Sequence, residues 1–231
     1  MPGRLGTPSV GAQGSNLFTV HRSLFALYLV GMPTFDKNRQ LSARFDRAFS
    51  YASHLHASQT RKGSRTPYIA HLLGVAALVL EDGGSEDEAI AALLHDTVED
   101  HPREGHTEEE IRLLFGERVL KIVLGCTDAF SHPKPPWKKR KLEYLDHLSS
   151  APAEIRRVSA ADKLHNARAV LHDYRHQGER LWRRFNAGKK DQLWYYRSLV
   201  DVLKKGRRRP SALVRELERV VFELEQAVNG R

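Results

Sequence analysis

From Leu41 to Val228 the apolar residues return at steps of three and four, and no run alternates apolar with polar as a half-buried strand would. That period is the signature of a helix with one buried face. It predicts helices carrying Leu41, Phe45, Phe49, Ala52 and Leu55, and then Ile69, Leu72, Leu73, Ala76 and Val79. Three more carry Ile155, Val158, Leu164 and Leu171; Leu193, Tyr196, Leu199, Val200 and Leu203; and Leu213, Leu217, Val220, Leu224 and Val228. The punctuation agrees. Pro67 suits the first position of a helix, and "EDGG" at 81–84 suits a stop. Ser85 with Glu88 reads as a capping box, Thr107 with Glu110 as a second, and Gly116 as a terminator. "SHPKPPWKKRK" (131–141) reads as a solvated basic loop, and "GRRRP" (206–210) as a loop joining helices. With no internal repeat and no glycine-rich phosphate loop, the expected fold is all-α, a single domain of about eight to ten helices over residues 36–231.

Residues 1–35 are expected to be a poorly ordered or appended N-terminal extension. "MPGRLGTPSVGAQGSN" has no period, and the apolar "LFALYLV" after it is far short of the roughly 20 residues of a membrane span. No membrane association is expected. The single cysteine, Cys126, excludes an internal disulfide framework and fits a cytoplasmic protein.

Charge is divided unevenly. Residues 1–131 hold 13 Lys+Arg against 16 Asp+Glu, a balance of −3; residues 132–231 hold 24 against 12, a balance of +12. An acidic segment thus precedes a basic half, which suits a polyanionic partner: a nucleic acid or a small phosphorylated metabolite. The acids concentrate in an unexpected place. "AALLHDTVED" (91–100) inserts His95, Asp96, Glu99 and Asp100 into an apolar pattern. On one continuous helix, Glu99 shares a face with His95 and Asp96, and Asp100 sits a turn above Asp96. Carboxylates crowded in this way resist burial unless a positive charge lies among them. Two further polar residues interrupt apolar helices: His71 in "TRKGSRTPYIAH" and Asp162 in "ADKLHNAR". Two imidazoles and two carboxylates on three helices make a ligand set for a divalent cation, and without thiolate they suit Mn²⁺ or Fe²⁺ as well as Zn²⁺.

The order His…His-Asp…Asp resembles the HD superfamily of metal-dependent phosphohydrolases. "RKGSRTPYIAH", "ALLHDTVED" and "ADKLHNAR" together resemble the hydrolase domain of the RelA/SpoT homologues, and in particular their stand-alone small alarmone hydrolases, over roughly Leu41 to Leu203. The resemblance implies an HD-domain helical fold and Mn²⁺ (or another divalent cation) on His71, His95, Asp96 and Asp162. It implies a catalytic acid pair at Glu99 and Asp100. Substrate contacts would come from Arg61, Lys62, Tyr68, Asn166 and Arg168. The implied reaction removes the 3′-pyrophosphate from (p)ppGpp or (p)ppApp, with NADPH 2′-phosphate hydrolysis as an alternative. His54, His56, His101, His106 and His165 are read as surface residues or as supports behind the ligands. The chain departs from its relatives at His101-Pro102 and at "GCTDAF" (125–130). A competing reading, a non-catalytic nucleotide- or nucleic-acid-binding HD protein, rests on the basic second half. All four ligand positions and both acids are present, so a small nucleotide substrate is expected and nucleic acid is not. Oligomeric state is left open by the sequence.

Overall fold

The computed structural model describes residues 41–101, 106–129, 133–206 and 209–230. The extension expected at residues 1–35 lies outside them. Residues 41–231 form one compact unit. The described residues are helical throughout their regular structure, with one isolated bridge between Thr60 and Pro67 in place of any strand.

Helix α1 (Ala43–Leu55) opens at Ser42, whose hydroxyl accepts from the Arg44 N–H at 3.1 Å. α2 (Ile69–Glu81) is apolar almost all round, so it must be buried, and it ends where Gly83 takes φ 77°. It begins two residues later than Pro67 had predicted, because Pro67 is held in the bridge to Thr60. α3 (Glu86–Leu94) carries the expected Ser85–Glu88 capping box. It is followed by the short α4 (Thr97–Asp100), by α5 (His106–Phe115) and by α6 (Glu117–Cys126), with Gly116 between α5 and α6 at φ 92°. The capping box expected at Thr107 does not form. Thr107 lies inside α5 and its hydroxyl donates to the His101 carbonyl at 2.8 Å.

α7 (Trp137–Ser150) corrects the basic-loop reading: "WKKRK" is its first turn and a half, entered from Pro136. Its cations have partners. Lys138 lies 3.0 Å from the Trp194 ring centroid, and Arg140 and Lys141 both bond Asp128. α8 (Ala153–Gln177), 25 residues long, is the axis of the fold. It packs on α2, α3, α6, α9 (Lys189–Lys204) and α10 (Ala212–Asn229), and a 3₁₀ turn at Gly178–Arg184 joins it to α9.

Leu72, Val75, Ile90, Leu93, Leu94, Val123, Val158, Leu164, Leu199 and Leu217 are all fully or almost fully buried around α8. Each such side chain contributes about 1.5–3 kcal/mol. The buried Arg156 guanidinium donates to the carbonyls of Leu148, Ser149, Val202 and Leu203 at 2.8–3.2 Å. One side chain thereby satisfies the last carbonyls of α7 and α9, which helix ends otherwise leave unpaired. None of the helices among the described residues is long and apolar enough to cross a membrane.

Candidate active site

The stretch 91–100 is not one helix. α3 stops at Leu94 and α4 starts at Thr97, with His95 and Asp96 in the joint. Both keep right-handed helical angles, so the chain bends without unwinding. The His95 Nδ1 lies 2.8 Å from the Ala92 carbonyl, which accepts its proton. That bond leaves Nε2 as the free lone pair. α2 brings His71 and α8 brings Asp162 to the same point.

The four residues converge. His71 Nε2 is 3.3 Å from Asp162 Oδ1 and 3.7 Å from Asp96 Oδ2. His95 Nε2 is 3.1 Å from Asp96 Oδ2 and 3.7 Å from Asp162 Oδ1. Ligand atoms of His71, His95 and Asp162 all lie within 4.8 Å of one another. His95 Nε2 is buried and has no hydrogen-bond partner among the described residues. A lone pair aimed at carboxylate oxygens is unfavourable by itself, and a cation resolves it. The electrostatics agree. Burial opposes charge on His95, yet Asp96 and Asp162 raise its pKa well above that of a free imidazole. For His71 burial wins and the pKa falls. Burial likewise works against the charge of Asp162, but Lys163, His71 and His95 hold its carboxyl well below the usual range. The residues fit a divalent cation.

The supports were less visible in the sequence. His165 Nδ1 is 3.0 Å from His71 Nδ1. Burial first, then His71 and Arg61, push the His165 pKa down to about 4, so it is neutral and can accept the His71 Nδ1–H. Lys163 Nζ holds the outer Oδ2 of Asp162 at 2.5 Å, and Asn166 Nδ2 holds Oδ1 at 2.5 Å. The Tyr68 hydroxyl donates to Asp96 Oδ2 at 2.5 Å; burial and then Asp96 raise its pKa far above neutral, so it stays a donor.

A cavity of about 720 Å³ opens from this cluster, within the usual range for small-molecule sites. Arg61, Lys62, Tyr68, Asn166 and Glu99 line it, as do His71, Asp96 and Asp162. Arg61 Nη2 donates to Asn166 Oδ1 at 2.6 Å. The turn carrying Lys62 is pinned by Arg184, which donates to the Lys62 carbonyl at 3.2 Å and to Asp173 at 2.5 Å. Gly63 in that turn has φ 77°, and a Cβ there would stand 2.2 Å from Arg184 Cδ. Glu99 accepts from Lys134 Nζ at 2.6 Å; burial and then Asp128 nonetheless raise its pKa, which makes it a stronger base.

Two residues fall elsewhere. Asp100 is exposed, does not line the cavity, and accepts from Gln59 Nε2 at 2.8 Å. Arg168 is exposed on the far side of α8 and pairs with Glu216 of α10 at 3.2 Å, which corrects its expected place in the nucleotide pocket.

The HD-domain family model matches residues 48–192. A guanosine-3′,5′-bis(diphosphate) 3′-pyrophosphohydrolase, MESH1, of Xenopus tropicalis is 44% identical over 124 residues, covering 52% of this chain and 66% of that protein. MESH1 of Mus musculus is 40% identical over 130 residues, covering 55% and 69%. The chain thus spans about two thirds of the length of these relatives. A solved structure, described as a metazoan ortholog of SpoT that hydrolyzes ppGpp, aligns with TM-score 0.64 and 26% identity, covering 83% of this chain and 98% of that one.

Proposed function

The chain belongs to the HD-domain family, and on that premise we propose that it removes the 3′-pyrophosphate of guanosine alarmones. Water adds across the bond between the 3′-oxygen and the pyrophosphoryl group, giving GDP from ppGpp (or GTP from pppGpp) and pyrophosphate. The names of the relatives support the substrate class. The observation that carries the reading is the meeting of His71, His95 and Asp162 within 4.8 Å, beside a cavity that Arg61 and Lys62 also line. Asp96 completes the ligand set, with its Oδ2 facing both imidazoles. Mn²⁺ is the cation proposed, on the thiolate-free ligands and the family resemblance. A divalent cation bound there lowers the pKa of its water and draws charge from the phosphoryl oxygens.

The chain's own residues do the rest. Glu99 accepts a proton from the attacking water through Oε2, since Oε1 is held by Lys134. Arg61 and Lys62 take the phosphate charge. Asn166 keeps Asp162 and Arg61 in register. The stacking surfaces of the cavity tolerate either purine, so adenine alarmones belong in the same test. A cytoplasmic location suits this substrate and the single cysteine.

The test is a panel of ppGpp, pppGpp, ppApp and NADPH incubated with the full chain and Mn²⁺, with detection of pyrophosphate and phosphate. Pyrophosphate from ppGpp is expected. Phosphate from NADPH with no pyrophosphate from any alarmone would overturn the reading.

A further inference from the structure

Two stretches that the hydrolysis scheme leaves unused meet beside the cavity. "GCTDAF" supplies Asp128, two residues past the end of α6, and "SHPKPPWKKRK" supplies Arg140 and Lys141 from the start of α7. Arg140 Nη1 lies 2.5 Å from Asp128 Oδ1, and Lys141 Nζ bonds Oδ2. The Asp128 side chain is only 8% exposed. Burial opposes its charge, but Lys141, Lys163 and Arg140 hold the carboxyl below its usual range. Such a buried charge cluster is a poor stabiliser, because desolvating the ions offsets their attraction. What it does fix is geometry, and Arg140 passes that geometry on. Its Nε donates to the Pro135 carbonyl at 3.2 Å. Pro135 and Pro136 have φ set by their rings, and Pro135 also biases Lys134 before it to an extended backbone. Residues 133–136 thus enter α7 as a stiff strap held at Pro135. On that strap, Lys134 Nζ sits 2.6 Å from Glu99 Oε1. The Lys134 side chain is 34% exposed, so without the strap a lysine so flexible would leave for water.

We infer that Asp128 is a positioning residue for the hydrolysis. It fixes Arg140, Arg140 fixes the strap at Pro135, and the strap keeps Lys134 on one oxygen of Glu99. The other oxygen of Glu99 is thereby left to face the attacking water. Three prolines and a run of cations acquire a reason for their composition: the prolines stiffen the link, and the cations tie it at one end to Asp128 and at the other to Glu99. The inference rests on the hydrolase reading and on Glu99 as its base.

The test is a double-mutant cycle on the full chain with Mn²⁺, read as kcat and KM for ppGpp beside metal content. Asp128→Asn keeps the size of the side chain but sets an amide NH₂ against one of the two cations, and Lys134→Met removes the ammonium. Each should lower kcat about tenfold, the size of one lost hydrogen bond to a charged group, with KM changed less than twofold and Mn²⁺ content unchanged. Together they should cost no more than Lys134→Met alone, because Asp128 acts through Lys134. Arg140→Lys separates the strap from the field of Asp128 on Glu99, and it decides the case if Asp128→Asn does not fold. It keeps the charge count, yet lacks the planar fork that reaches Asp128 and the Pro135 carbonyl at once. It should also lower kcat severalfold and add nothing to Lys134→Met. Losses that multiply, a loss carried by KM, or an unchanged kcat in any of the single variants overturns the inference and leaves the hydrolase reading intact. A wild-type protein that releases no pyrophosphate overturns that reading, and the inference falls with it.

Discussion

Replacing His165 with alanine tests the support behind the proposed metal ligands without touching any of them. His71 can offer its Nε2 lone pair only if its proton sits on Nδ1, and the Nδ1 partner is His165 Nδ1 at 3.0 Å. The pKa of His165, pushed down to about 4 mainly by burial, keeps it neutral and accepting at pH 7. Truncation removes the acceptor and frees His71 to turn or to change tautomer. Loss of such an outer partner typically weakens metal binding about 10- to 100-fold, or about 1.4–2.7 kcal/mol. Gly74 sharpens the experiment. A Cβ at Gly74 would stand 2.3 Å from His165 Cδ2 and 2.4 Å from its Nε2, so Gly74→Ala must push the ring by roughly an ångström to restore ordinary contact. Both variants are measured by calorimetric titration of Mn²⁺ into metal-free protein, beside thermal melts that report folding. His165→Ala and Gly74→Ala should bind more weakly by similar factors while remaining folded. Unchanged Mn²⁺ affinity in folded His165→Ala protein would refute the tautomer argument.

Further outcomes follow from the same geometry. Glu99→Gln should retain the metal and slow turnover about 100-fold or more, as expected for loss of a general base; metal analysis and kcat on one preparation decide it. Gly63→Ala combines φ 77° with the contact on Arg184, so it should raise KM for ppGpp through displacement of Arg61 and Lys62 and cost about 1–2 kcal/mol of stability by urea titration. Arg168→Ala removes only an exposed pair with Glu216, so KM should change less than twofold and stability by less than about 1 kcal/mol. His165 also gives metal-free stability a pH dependence. Its folded pKa of about 4 lies below the ordinary 6.5, so below pH 6.5 the unfolded chain takes up the proton first and stability falls as pH drops toward 4. His165→Gln should flatten that part of a melting-temperature profile.

The helices were legible because their apolar period is strong, and the meeting of His71, His95 and Asp162 because histidines and aspartates stand out in apolar surroundings. Other features lacked a local signal. The bend at His95–Asp96 involves no proline or glycine; it depends on the His95 side chain and on where α2 and α8 lie. "WKKRK" looked like a solvated loop because its cations had no visible partners, and those partners, Asp128, Asp191 and Trp194, are distant in sequence. Arg168 could have been placed better from the sequence alone. At 100° per residue, Asn166 stays within about 40° of Asp162 while Arg168 turns about 120° away, toward α10. The opposite fates of Glu99 and Asp100, one lining the cavity and one held by Gln59, could not be read from two adjacent acids.

The central claim is that His71, His95, Asp96 and Asp162 grip one divalent cation where the nucleotide is cleaved. Metal content of wild-type and Asp162→Ala protein, measured by mass spectrometry after loading with Mn²⁺ and removal of excess, tests it most directly. One equivalent per chain in the wild type, lost on substitution together with pyrophosphate release, is the predicted result. Equal metal content in the two proteins, or none in a folded and active wild type, would contradict it.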